Sequence, residues 1–252
     1  MVIRFFTSCH GLSIAYPYVI VQALLKDEGI RYVERFRPRA VWIEPNVHKF
    51  FAEYNLPDYP SWFINEYAQT VKVLSKVFER LGVEEVFYTI PDVPCDYPGR
   101  ESLYPFNVER TLHYIKLFKQ KYVNDIPATP VAVVQGKKDV ISTVINAYLK
   151  NKDLYDEFEL IAVGPTCATR NAVKLAKLVL SFDRVTARPY HVFGPSLAAI
   201  KRVVGKVKMM YSFDNSSYYF HNGRKIKNRC ERAQALKAYL QKLESLGVEV
   251  KA

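Results

Sequence analysis

Short apolar runs alternate along the chain with longer stretches in which apolar residues recur at helical spacing. Runs at residues 2–7, 40–43, 85–90, 129–134, 159–163, 189–193 and 208–213 read as strands. Pro130-Val131-Ala132-Val133-Val134 has no polar position, as expected of a strand covered on both faces. Between strands, residues 61–81 repeat Val71, Leu74, Val77, Phe78 and Leu81 at helical spacing, and Gly82 ends the helix. Helices are predicted likewise at 106–122, 140–149, 172–182, 197–204 and 233–246. A short helix at 17–26, with Pro17 in its first turn, and an eighth strand at 30–33 complete the pattern.

Strands alternating with helices of this length predict a parallel sheet covered by helices. Eight such units in 252 residues match the size of an α/β (β/α)8 TIM barrel. A doubly wound sheet is the alternative, but no GxGxxG follows the first strand. No linker or break in composition divides the chain, so residues 1–252 are expected to form one domain.

Composition adds a direction. The formal net charge is +11, with 36 Lys and Arg against 25 Asp and Glu, which favours an anionic partner such as nucleic acid. Tyr and Phe, at 18 and 15, need a core, an interface or a ligand groove. Cys9, Cys95, Cys167 and Cys230 form no CxxC pair, and no HExxH occurs, so no metal site is expected. No apolar run reaches the length of a membrane span, and the start has no signal-peptide pattern, so a cytoplasmic location is expected.

Catalytic groups in parallel α/β folds collect where strands end. Those ends offer Glu44, Asp92, Gln135, Gly164, Gly194 and Asp214. Asp92 lies in a loop stiffened by Pro91 and Pro94, and is read either as a turn cap or as an acceptor of ligand N–H groups. Asp96 is an equal candidate for the cap. Gln135 offers a donor and an acceptor, and Gly136 permits close approach of a ligand or another loop. Gly164 leaves room for a flat ring. Thr166, Thr169 and Asn171 are candidate caps of the next helix. His191 reads as a core or supporting group, and His10 as a more exposed one. Asp214 is either a nucleophile, base or metal ligand, or an Asx-turn with Asn215.

Four short motifs occur in order: Asp92-Val93-Pro94, Val134-Gln135-Gly136, Ala162-Val163-Gly164 and Ser212-Phe213-Asp214-Asn215-Ser216-Ser217. His191-Val192-Phe193-Gly194 lies between the last two. In this order and strand-end placement the chain resembles the tRNA-guanine transglycosylase superfamily, including the DNA-acting relatives that insert 7-deazaguanines. The resemblance implies a (β/α)8 barrel that exchanges guanine for a base such as preQ0 in DNA or tRNA. It implies that Asp214 is the nucleophile, and that Asp92, Gln135 and Gly164 contact the base. Glu44, in Trp42-Ile43-Glu44-Pro45-Asn46, stands where the family carries its general acid/base aspartate, without the two glycines of that motif. The family's zinc-binding cysteines and histidine have no counterpart around Cys230, so neither zinc nor another cofactor is implied.

The target base must be flipped out or single-stranded. Phe193, Tyr218 and Tyr219 are candidate stacking groups, and equally candidate core. Nine basic residues fall between Lys201 and Arg232, among them Lys201, Arg202, Arg224, Lys225, Lys227 and Arg229. They read as a phosphate-holding cluster, with 224–229 on a loop near the mouth, or as a solvated surface. A second copy of the chain or an accessory protein is a further candidate partner. Two rival functions remain: nucleoside or glycoside hydrolysis by the same carboxylates, and nucleic-acid binding without catalysis.

Overall fold

The computed structural model describes residues 2–54, 56–96, 101–167, 169, 171–221 and 224–250. Its elements run β1 (Ile3–Ser8), β2 (Tyr18–Gln22), α1 (Lys26–Phe36), β3 (Ala40–Glu44), α2 (Val47–Tyr54), α3 (Ser61–Arg80), β4 (Glu85–Thr89) and α4 (Tyr104–Lys121). They continue with β5 (Thr129–Val134), α5 (Ile141–Lys150), α6 (Lys152–Tyr155), β6 (Leu160–Val163), α7 (Ala172–Val185), β7 (Tyr190–Val192), α8 (Leu197–Val203) and β8 (Met210–Asp214). The chain then forms a hairpin, β9 (Phe220–His221) and β10 (Arg224–Lys225), followed by α9 (Arg229–Glu244) and β11 (Val248–Glu249). Strands β1 to β8 pair in sequence order, all parallel, and β1 pairs back with β8. The sheet therefore closes into an eight-stranded α/β barrel of the (β/α)8 type. Among the described residues, no helix is long and apolar enough to cross a membrane.

One unit differs from expectation. Of residues 17–26, Tyr18–Gln22 are a strand and only 23–26 are helical, a 3-10 turn at Ala23–Leu25 leading into α1, and 30–33 are not a strand. The eighth strand is β2, and residues 30–33 lie inside α1. Tyr18-Val19-Ile20-Val21 is aromatic and β-branched, and all four residues are buried, as a strand between two parallel neighbours requires. In α1 the buried residues are Gly29, Tyr32 and Val33, which is helical spacing. Gly29 lets the helix lie directly on β2: a Cβ there would stand 2.4 Å from Val21 Cγ1. Gly29→Ala should therefore lower stability by ~1–2 kcal/mol despite alanine's better helix propensity, as read from a urea denaturation midpoint.

Aromatic rings fill the barrel. Phe6 meets Trp42, Phe87 and His191 at centroid distances of 5.5, 6.3 and 6.3 Å, and His191 lies 4.4 Å from Trp42. Below them Arg4 donates to both carboxylate oxygens of Glu85 at 2.8 Å, and Tyr211 donates to Glu85 Oε2 at 2.9 Å.

A slip in register shapes the upper end of β8. Tyr190 pairs with Met210, but His191 pairs with Ser212, so Tyr211 is an extra residue on β8. Such bulges re-aim side chains. Here Tyr211 and Ser212, although adjacent, both turn inward, the one to Glu85 and the other to His191.

Candidate active site

Strand register alone carries the site residues to one level. Val134 pairs with Val163, Val163 with Val192, and Val192 with Phe213. The residues one step on, Gln135, Gly164, Phe193 and Asp214, therefore form the next rung on four adjacent strands. Partners in a parallel sheet point to the same face, and successive residues alternate. Asp214 pairs with Phe6, whose ring lies inside the barrel, so this rung faces inward at the strands' carboxyl ends. Glu44 ends β3 two residues beyond the inward Trp42 and joins the rung from the opposite wall.

Together these residues line a cavity of about 190 Å³ with Pro45, Asn46, Val47, Thr89, Asp92, Pro94, Asp96, Pro165, Thr166 and Cys167. One water-sized position takes roughly 10–15 Å³, so the cavity has room for roughly 13–19 such positions, enough to admit a purine base. Glu44, Asp92, Asp96 and Asp214 are its acids, and among the described residues no lysine or arginine lines it. Among the described residues, no three His, Cys, Asp or Glu side chains are grouped to hold a metal ion.

Asp92 is the most firmly held. Its carboxylate accepts from Gln135 Nε2 at 2.5 Å, and its carbonyl accepts from Tyr59 Oη at 2.8 Å. The loop beyond it is tied by Val93 N donating to Thr111 Oγ1 at 3.0 Å and by Asn107 Nδ2 donating to the Pro94 carbonyl at 3.1 Å. Burial raises the Asp92 carboxyl to about 7, helped by the Asp96 charge and opposed by the Gln135 hydrogen bond. Gly164 makes room for that Gln135 amide, since a Cβ would stand 2.9 Å from its Nε2.

Glu44 is raised further, to about 8, by burial first and then by the charges of Asp214 and Asp92. Near neutral pH it therefore holds a proton that it can donate. Asp214 is held differently. Its Oδ1 accepts from Gly194 N at 3.0 Å and lies 3.2 Å from His191 Nε2. Gly194 adopts a φ of +60°, a conformation that glycine takes without strain, and this turns its N–H toward the carboxylate.

Other expected site residues lie elsewhere. Gly136 does not line the cavity; a Cβ there would run into the backbone of Val144 on α5, at 2.7 Å from its nitrogen. Tyr218 and Tyr219 are core: they are buried against each other, and Tyr218 packs on Tyr239 of α9 at 5.7 Å. Phe193 does reach the cavity. Asn171 caps α7, its side chain accepting from Val173 N and Lys174 N at 3.0 Å. Thr166 instead bonds to the carbonyls of Val163 and Phe193, tying two strand ends together. His10 is not exposed at the mouth. Its Nε2 accepts from Gln22 N at 3.0 Å, and its Nδ1 faces Glu28 at 3.3 Å.

The basic stretch is divided. Lys201 and Arg202 lie in the last turn of α8, the end that leads back to the start of β8 and away from the cavity. Arg224 and Lys225 are exposed on the β9–β10 hairpin, and Lys227 is exposed beside it. Arg229 is not on a loop: Asn228 caps α9 by accepting from Cys230 N at 2.8 Å, which starts the helix at Arg229, four residues before the expected start. Ile226 N donates to the Tyr219 carbonyl, and Tyr219 Oη to the Ser8 carbonyl at 3.1 Å, which fixes this second group near the carboxyl end of β1.

Asp96 and Cys167 are cavity residues that sequence reasoning did not place there. Asp96 is buried four residues after Asp92 in the same tied loop. Cys167 is open to the cavity, yet the protein crowded around its thiol and the charges of Asp214, Asp96, Glu44 and Asp92 push it well above the usual thiol range. A cysteine so placed is a poor nucleophile.

The fold and the carboxylate-lined mouth are those of a (β/α)8-barrel protein of the kind that serves many enzymes. No protein-family model matches the chain, and no curated protein matches it either.

Proposed function

We propose that this protein exchanges guanine for a 7-deazaguanine base such as preQ0 in DNA or tRNA, through a covalent intermediate on Asp214. The observation that carries the reading is the pairing, in one purine-sized cavity, of an amide-held Asp92 with a neutral Glu44 and an accessible Asp214. Asp92 and the Gln135 amide offer an acceptor and donors to the polar edge of a guanine. Ligand N–H groups favour the ionised carboxylate, so base binding would draw Asp92 below its raised value. Phe193 supplies an aromatic wall.

In the first step an Asp214 oxygen bonds to C1′, the C1′–N9 bond breaks, and its electron pair leaves with the guanine. Glu44 delivers the proton that neutralises the departing base. In the second step the entering base gives its proton to Glu44, its N9 bonds to C1′, and the C1′–oxygen bond breaks to restore the Asp214 carboxylate. The polymer backbone would be met by Arg224, Lys225, Lys227 and Arg229 on the rim. Lys201 and Arg202, in the last turn of α8, stand at the end that leads back to the start of β8 and are given no part in it.

Labelled guanine and labelled preQ0, each offered with tRNA and with DNA, test the reading. Incorporation into one polymer is the expected result. Release of guanine with no incorporation would make the protein a hydrolase, and folded protein that does neither would overturn the proposal.

A further inference from the structure

The buried histidine His191 has one satisfied partner on each side. It is 1% exposed, surrounded by the aromatic rings of Trp42, Phe6 and Phe193. Packing alone would be served by phenylalanine there. The two ring nitrogens are instead occupied: Nδ1 lies 2.9 Å from Ser212 Oγ, and Nε2 lies 3.2 Å from Asp214 Oδ1. Ser212 is fully buried, and it faces the ring because of the Tyr211 bulge.

The role that the exchange reading gives Asp214 sets the proton positions. A carboxylate nucleophile can only accept, so Nε2 must carry hydrogen. With Nδ1 left as the acceptor, the Ser212 hydroxyl donates to it. The order is Ser212 O–H to Nδ1, Nε2–H to Asp214 Oδ1. Gly194 N–H donates to that same Oδ1 at 3.0 Å. Two donors on Oδ1 leave Oδ2, among the described residues, as the oxygen available for attack.

We infer that Ser212 and His191 form a positioning relay that fixes His191 in the Nε2–H form and, with Gly194 N–H, reserves Asp214 Oδ2 for attack on C1′. This deepens the exchange reading and rests on it. When Oδ2 is esterified, Oδ1 becomes the ester carbonyl. When the entering base displaces the ester, the electron pair of the C1′–Oδ2 bond returns to the carboxylate, and the Nε2–H and Gly194 N–H stabilise the charge gathering on Oδ1. Donors placed where charge develops typically contribute ~10²–10³ in rate. His191 touches neither base nor sugar in this scheme; it acts through Asp214.

The test compares exchange rates, base affinity and ring tautomer. His191→Phe should fill the same space, lower kcat for exchange by ~10²-fold or more, and leave equilibrium binding of free guanine within about twofold, because the Asp92 side of the cavity is untouched. His191→Gln, which can still donate to Asp214, should recover at least about tenfold of that loss. Nitrogen-15 NMR of the unaltered protein should show a protonated Nε2 and an unprotonated Nδ1 at His191, and Ser212→Ala should reduce that preference. The inference is overturned by wild-type kcat in His191→Phe, by equal loss of kcat and of guanine binding, or by an Nδ1–H ring in the unaltered protein. The NMR result does not depend on the variants folding. Absence of exchange in the unaltered protein would remove the exchange reading while leaving the tautomer measurement to decide the relay.

Discussion

Asp214→Asn abolishes base exchange, by on the order of 10⁴-fold or more, and leaves the fold intact. The expectation follows from what asparagine keeps and what it loses. Its side-chain oxygen still accepts from Gly194 N–H and from His191, so the upper end of β8 retains its contacts. Asp214 is partly exposed, with 22% of its side chain open, so an isosteric neutral replacement should change stability by less than about 0.5 kcal/mol. What disappears is the carboxylate oxygen that the proposed reaction bonds to C1′. Free guanine should still bind, since Asp92, Gln135 and Gly164 stand on other strands. Exchange kinetics, a urea denaturation curve and equilibrium binding of guanine check the three parts separately. Unchanged exchange in a folded variant would rule out Asp214 as nucleophile and favour nucleic-acid binding or another reaction centre.

Glu44→Gln is expected to act on both rate and stability, with opposite signs. Removing the acid/base group should lower exchange by ~10²–10⁴-fold. In the unaltered protein, exchange should fall above pH about 8, where Glu44 loses the proton it donates, and this alkaline limb should vanish in the variant. Stability moves the other way. The folded pKa, about 8, lies above the ordinary 4.5. Between those values the unfolded chain has released the proton and the folded chain holds it, so stability falls as pH rises through this window. Below it both states hold the proton and stability is unaffected, and above it the full cost of a buried charge beside Asp214 and Asp92 is present. At 1.36 kcal/mol per pKa unit, and allowing for the part of Glu44 open to the cavity, the cost is on the order of 3 kcal/mol. Glu44→Gln should therefore be more stable than the unaltered protein at pH 9 and nearly equal to it at pH 4. Asp92 adds a slope of the same sign between 3.8 and about 7, so the difference between the two proteins, rather than either curve, isolates Glu44. Equal denaturation midpoints at pH 9 would contradict the placement of Glu44 as a buried acid.

The barrel was legible because most of its strands are apolar runs that end abruptly at a polar residue or glycine. Gln135, Gly164 and Asp214 could be nominated from that edge alone, and register then sets them on one rung with Phe193. The second unit is not legible because Tyr18-Val19-Ile20-Val21 follows a proline and runs directly into Ala23-Leu24-Leu25, so apolarity continues across the strand–helix boundary. Its marker was Gly29, a glycine within a helix that makes sense only once the helix is laid on β2. Asp96 and Cys167 escaped because they sit in irregular loops, where a side chain's direction follows from tethers such as those of Thr111 and Asn107 rather than from periodicity. The inward turn of Ser212 had no local signature either. It depends on one extra residue in β8 relative to β7, which becomes visible only when the two strands are paired.

Strand β1 pairs with β2 through Thr7 and Ser8, with β8 through Arg4 to Phe6, and with β11 through Ile3 and Arg4. Two of its three neighbours are therefore separated from it by most of the chain. During synthesis, Phe5 and Phe6 emerge early and wait for partners that are made near the end. The seam on which Asp214 sits is consequently the last part of the eight-stranded barrel that can form, and of the pairings among those eight strands it closes the longest stretch of chain. Asp214 and barrel closure are thus completed in a single event: a chain arrested before β8 has Glu44, Asp92 and Gln135 on their strands but lacks the carboxylate to which the proposal gives the covalent step.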